Sequence, residues 1–307
     1  MIELWCFDGV NILFAIFVDS MKKLLACFLA IIAFVGCSKE SALDVVVGGD
    51  ETYHVTVGID EQTRAEISTI AALLGDAYEL RYVLEIYEND ARLGTQQIQY
   101  SADSSVVFAV KLPPLRDYRF VAWADVVAKR TDESQTPANI YYNTSNLSEV
   151  SVTQQWSNSD LRDAFADYED VANFSSSSVV NLKLMRPFAK LRIVDSNGVT
   201  RTDVKKISVS YSPVGDVSYS TYNAMCDTFI GAVATTITRT YDVSAIGATG
   251  ADGVTLFTDF IFVPKGDTQF NVEVRLYGAG DALLDTKNLG SVAVNRNTLT
   301  TIKGDII

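Results

Sequence analysis

Few residues of this chain have the types and spacing that chemistry needs. The one histidine, His54, stands beside the start of a candidate strand. A Ser–His–Asp arrangement would have to use it as the base, yet no Gly-x-Ser-x-Gly turn occurs anywhere in the sequence. Zinc draws on several His or Cys ligands, and His54 with Cys226 cannot supply them. The glycines at Gly48-Gly49 and from Gly247 to Gly253 lack the Lys-Ser/Thr ending of a phosphate cradle and read as loops. Five acids, Asp160, Asp163, Asp167, Glu169 and Asp170, fall close together and could hold calcium, which prefers oxygen ligands. Their spacing is not that of a helix–loop–helix calcium loop. A solvated helix face with an acidic first turn explains them equally well. With 38 Asp and Glu some pair could always be matched to sugar hydrolysis, so acid abundance alone carries no signal. No catalytic residue, metal or cofactor is assigned.

Aromatic residues are the remaining binding candidates. Trp123 lies in Tyr118–Asp125, a stretch apolar on both faces, and reads as core. Tyr141, Tyr142 and Trp156 fall in a long irregular region, where binding residues gather, and are the candidate platform for stacking a glycan.

The thiol of Cys37 has a different chemistry. Twelve apolar residues, Leu24 to Val35, follow Lys22-Lys23 and precede Gly36-Cys37. A charged start, an apolar stretch and a small residue before the cut describe a secretory signal peptide. A cysteine just after that small residue points to acylation. Phe34-Val35-Gly36-Cys37 resembles the bacterial lipobox, with Phe34 where an aliphatic residue is usual. Glu3, Asp8 and Asp19 spoil residues 1–20 as a signal start, so Met21 is preferred to Met1 as the true beginning. The expected organisation is an upstream extension 1–20, a lipoprotein signal 21–36 and a tether 37–50. Two domains, 51–186 and 187–307, follow. Beyond Val35 no stretch approaches the ~20 apolar residues of a membrane span, so membrane attachment is expected through lipid on Cys37. With 25 Lys and Arg against 38 acids the net charge is −13, which repels nucleic acid. Once Cys6 and Cys27 leave and Cys37 is acylated, Cys226 stands alone, and it reads as a small buried hydrophobe.

Period-two alternation must position whatever site exists. Phe270, Val272, Val274 and Leu276 alternate with polar residues, as do Leu80, Tyr82, Leu84 and Ile86, and Val106, Phe108, Val110 and Leu112. Further strands are expected at 53–59, 118–125, 179–185, 188–194, 204–211, 254–263, 291–294 and 298–303. Turn residues such as Asp195-Ser196-Asn197-Gly198 and Lys265-Gly266-Asp267 punctuate them. The chain is therefore expected to be mainly β, in antiparallel sandwiches. Two short helices are expected over it. One holds Ile67, Ile70, Ala71 and Leu74; the other holds Leu161, Ala164, Phe165 and Tyr168 behind Ser159 as N-cap. No fixed-period repeat is evident.

Three strings, taken with the leader, resemble the fimbrillin-like lipoproteins of Bacteroides-type bacteria. They are Tyr118–Asp125 (YRFVAWAD), Leu184–Leu191 (LMRPFAKL) and Arg296–Gly304 (RNTLTTIKG). The resemblance implies two tandem transthyretin-like β-sandwich domains, export as a lipoprotein, and a part in surface fimbriae or cell adhesion. It also implies that, in polymerising members, a protease removes an early strand after an arginine. Here that would be Tyr53–Ile59, cut between Arg64 and Ala65, whereas an anchor, tip or accessory protein keeps its lipid and this strand. The preferred expectation is the latter, a lipid-anchored outer-membrane protein exposed on the cell surface. The expected partners are membrane lipid through Cys37, other fimbrial subunits by strand-edge pairing, and host or bacterial surface ligands. The alternatives are a surface glycan-binding lipoprotein, which predicts exposed coplanar aromatics, and a hydrolase, which predicts two carboxylates facing across a cleft.

Overall fold

The structure, a computed structural model, describes residues 51–60, 63, 74–153, 156–196, 201–214, 218–233, 236–243 and 253–307. Cys37, Arg64 and Ala65, and the helix expected at 67–74, lie outside the described residues apart from its last member, Leu74. The described chain is mainly β, with antiparallel sheets and no helix longer than a short 3₁₀ turn.

The first sandwich pairs two sheets over one apolar core. Its smaller sheet has β1 (Thr52–Ile59) at the centre, antiparallel to β5 (Ser105–Lys111) and parallel to β10 (Val180–Leu184). Its larger sheet runs from β3 (Ala91–Arg92) through β2 (Tyr78–Glu88) and β6 (Tyr118–Ala128) to β9 (Ala164–Val171), with β4 (Gln97–Ser101) also on β2. The alternation of β1 puts Tyr53, Val55, Val57 and Ile59 in the core. β6 is buried on both faces, and Trp123 is wholly inside.

The second half repeats this topology without repeating its sequence. β11 (Phe188–Asp195) is central, antiparallel to β16 (Val254–Phe262) and parallel to β19 (Leu299–Gly304). The facing sheet orders β15 (Ile237–Asp242), β12 (Lys206–Pro213), β17 (Asp267–Tyr277) and β18 (Leu283–Asn295). In each half, then, the first strand lies between an antiparallel neighbour and the half's last strand.

Side chains close the lines where the two sheets of a sandwich meet. Asp167 and Glu169 of β9 accept from the backbone N–H groups of Lys183 and Asn181 in β10, at 2.8 and 3.1 Å. Gln99 of β4 donates to the carbonyl of Val107 in β5. In the second half Tyr241 of β15 donates to the carbonyl of Leu256, and Thr300 of β19 to that of Ala293. A bare edge offers unpaired backbone groups to other chains, and these bonds occupy part of each edge.

The halves interlock. The hairpin of β13 (Ser218–Asn223) and β14 (Thr228–Val233) leaves the second half to pair with β8 (Val150–Val152), itself beside β7 (Tyr142–Asn143). Tyr222, Ala224 and Met225 thereby enter the first core. β16 serves both cores, with Phe260 and Phe262 in the first and Phe257 and Ile261 in the second.

Two expectations are corrected here. The segment expected as a helix over Leu161–Tyr168 is a 3₁₀ turn, Asp160–Arg162, followed by strand β9. Ser159 does cap that turn, accepting from Leu161 N, but pairing with β6 over Tyr118–Asp125 then outweighs the local helical spacing. Cys226 is exposed in the β13–β14 turn rather than buried, with Sγ 3.1 Å from Thr228 Oγ1.

Candidate functional site

The acidic cluster is the first candidate to be resolved by geometry. Its members are engaged by cations and backbone groups, at the junction of the halves for Asp160 and within the first sandwich for Asp167, Glu169 and Asp170. Asp163, wholly buried, receives two hydrogen bonds of 2.6 Å from the guanidinium of Arg186. Asp160 meets Lys190 and Arg192, both at 3.2 Å. Asp167 and Glu169 close the β9–β10 line, and Asp170 pairs with Arg119 at 2.7 Å. The reading as a solvated helix face is therefore corrected: Asp163 is in the interior, and the acids serve as acceptors along a turn and a strand. Among the described residues no group of three or more His, Cys, Asp and Glu is placed to hold a metal.

Beside these lies a second buried charge centre. The Asp259 carboxylate accepts from Arg162 of the first half and from Tyr211 and Arg239 of the second. Burial raises the Asp259 pKa, but the two guanidiniums outweigh it and hold the group below the usual carboxylate range. Asp125, in the YRFVAWAD string, is the opposite case. It is gripped by Arg81 at 2.9 and 2.7 Å, yet its burial pushes the carboxyl up more than Arg81 pulls it down. The other two strings meet at this junction. Arg186 N donates to Asn297 Oδ1 at 3.1 Å, and Lys190 pairs with Leu299 across β11 and β19.

The aromatic candidates do not form an open platform. Tyr142 is buried and donates to the Arg162 carbonyl at 2.6 Å; its ring stacks on Phe188. Tyr141 is also buried. Trp156 is half-buried, stacked on Phe257 with Arg239 over its face. His54 is exposed on β1 opposite Ala109. No described helix is long and apolar enough to cross a membrane.

With this arrangement established, comparison with known proteins becomes informative. A family profile described as "Family of unknown function (DUF6562)" matches residues 48–307. The chain belongs to the DUF6562 family. No curated protein matches it. The fold of this DUF6562 chain is similar to that of a proposed adhesin from Bacteroides thetaiotaomicron VPI-5482, at 12% identity and a TM-score of 0.44, covering 82% of this chain and 92% of that one. A proposed polysaccharide-binding protein from the same organism matches at 14% identity and a TM-score of 0.40, over 70% and 73% of the two chains. A fimbrial assembly protein from Parabacteroides distasonis ATCC 8503 matches at 10% identity and a TM-score of 0.36, over 82% and 91%. Such scores mark distant resemblances.

The sequence reading missed one concave site, at an end of the larger sheet of the first sandwich. It is lined by Asn89, Asp90, Asp117, Arg119 and Asp170 over Tyr87 and Tyr118. Asn89-Asp90 is a turn dipeptide by composition, but nothing in the spacing links it to residues 117–119 or 170.

Proposed function

We propose that this DUF6562 chain is a lipid-anchored structural or adhesion component of the bacterial surface, an anchor, tip or accessory part that keeps its first strand. The observation that carries this reading is the position of β1. It is bonded on both sides, to β5 and β10, and places four residues in the core. Losing it would expose two strand edges and part of the core, so β1 reads as a permanent member of its sheet. Thr63, directly before Arg64, is 2% exposed and bonds to Asn297 in the second half. A protease must draw several residues around its cut into an extended form, and that packing opposes it. The side-chain bonds along the lines where the sheets meet favour an end or anchoring part over one that extends by edge pairing. The leader supplies the anchor, with Cys37 as the acylated residue and the outer membrane as destination. The buried carboxylates of Asp125, Asp163 and Asp259 are each held by an arginine, an arrangement that favours a structural, non-enzymatic role.

Intact-mass and N-terminal analysis of the protein from its own cells tests this. A diacyl or triacyl increment on Cys37, with the rest of the chain complete, is the expected result. A mature N-terminus at Ala65 without lipid would mean strand removal and a polymerising subunit. An unmodified start at Met1 or Met21 would overturn export.

A further inference from the structure

The β2–β3 turn, the start of β6 and the end of β9 enclose a cavity of about 270 Å³. That is a little below the roughly 300–1,000 Å³ of sites for drug-sized ligands, a size for one small ring. Tyr87 and Tyr118, both buried, line it from the core side. Their hydroxyls are already used, Tyr87 donating to Glu85 and Tyr118 to the Pro113 carbonyl at 2.8 Å. Ring carbons are what they leave to the cavity, together with Val171.

The polar groups around it are mixed in sense. Arg119 Nε and Nη2 are fixed by Asp170 at 2.7 and 3.0 Å. Its Nη1 stands 3.7 Å from Asp90 Oδ1, beyond hydrogen-bond range, and remains a donor for something else. Asp117 uses Oδ1 for Asn173 N at 2.8 Å, leaving Oδ2 as an acceptor. Asn89 and Asp90, at φ of 50° and 61°, form a tight left-handed turn and add an exposed amide and an exposed carboxylate. Donor and acceptors thus alternate around an apolar wall. A bare cation would want acceptors only, and Arg119 sits among them. A vicinal diol, each hydroxyl both donating and accepting, matches the set.

We propose that this cavity binds a single pyranose ring, with its C–H face against Tyr87, Tyr118 and Val171. Two neighbouring hydroxyls are then held by Arg119 Nη1 and the carboxylates of Asp90 and Asp117. This deepens the surface reading above and rests on it, because such a ring would be a residue of an external glycan. The lipid on Cys37 is measured independently, so either idea can fail alone.

The test is saturation-transfer NMR on the full chain with methyl glycosides of hexoses, deoxyhexoses and N-acetylhexosamines as probes. Asp90→Gly removes the carboxylate while tolerating the positive φ, and because Asp90 is 85% exposed the thermal midpoint should not move. At least one glycoside should bind, about tenfold more weakly in Asp90→Gly, as expected for one lost charge-assisted hydrogen bond. Asp90→Asn, which keeps an acceptor oxygen, should hold affinity within about threefold. Lysine methyl amide serves as the cationic probe. No signal from any glycoside, binding that persists unchanged in Asp90→Gly, or salt-sensitive binding of lysine methyl amide in place of the glycosides would each overturn the assignment.

Discussion

Asp259 shows what a single carboxylate contributes here. It lies wholly inside and answers two guanidiniums and a phenol from three elements. Asp259→Asn would leave Arg162, 1% exposed, without its counter-charge. Breaking a buried pair by removing one partner typically costs about 3–5 kcal/mol, and urea unfolding of the variant should show a loss of that order. The pH dependence follows from the same group. Its folded pKa lies below the ordinary aspartate value of 3.8, so its contribution is fully present above that value and is lost as pH falls through the lower, folded one. Stability of the parent should therefore fall steeply below about pH 4, and Asp259→Asn should flatten that limb. A parent curve that is flat below pH 4 would contradict this. The sequence showed the acids but not their partners. Asp163 finds Arg186, and Arg162 finds Asp259, across 23 and 97 positions, separations that no local spacing encodes. Cys226 was misjudged for a related reason: buriability is a tendency of the residue type, while exposure was decided by a turn.

Strands with strict alternation around large apolar residues, such as β1, β5 and β17, are legible because one face is buried. β13 and β15 are not, since their alternation is among Ser, Thr, Tyr and Arg on a half-exposed surface. β9 misled because Leu161, Ala164, Phe165 and Tyr168 satisfy a helical period as well as lying beside an apolar strand. The β9–β10 line makes the clearest prediction at this scale. Asp167 Oδ2 and Glu169 Oε2 are the acceptors for Lys183 N and Asn181 N, in bonds that face solvent, so water can replace the lost acceptors and the loss is about 0.5–1.5 kcal/mol. The double variant Asp167→Ala/Glu169→Ala should lose stability within that range. Amide exchange at Lys183 and Asn181 should accelerate, while exchange in β12 and β17 stays as it was. Burial pushes the Asp167 carboxyl up despite its two backbone donors. Its ionised form therefore weakens the fold slightly as pH rises past the ordinary carboxylate value, and protonation favours the folded state. The stabilisation by Asp167 must then come from the hydrogen bonds themselves, and Asp167→Asn should be milder than Asp167→Ala.

Across the whole molecule, duplicated topology and shared burial pull in opposite directions. Each half has the same central first strand with its antiparallel and parallel neighbours, which by itself would suggest two units able to fold alone. The junction argues otherwise. The β13–β14 hairpin completes a sheet with β7 and β8, and Tyr222, Phe260 and Phe262 fill the first core from the second half. Arg162 and Asp259 join the halves through a buried pair. Burying one such aromatic side chain contributes about 1.5–3 kcal/mol, so separating the halves would cost several such increments and strand two charges. The full chain should accordingly unfold in one calorimetric transition, with calorimetric and van't Hoff enthalpies in agreement. Residues 187–307 expressed alone should expose those aromatics and aggregate or bind apolar dyes. Adding Tyr222→Ser, Phe260→Ser and Phe262→Ser to that fragment should restore solubility, whereas the same changes in the full chain should destabilise it. Two separate transitions, or a soluble unmodified fragment, would mean that the junction is a contact between independent domains.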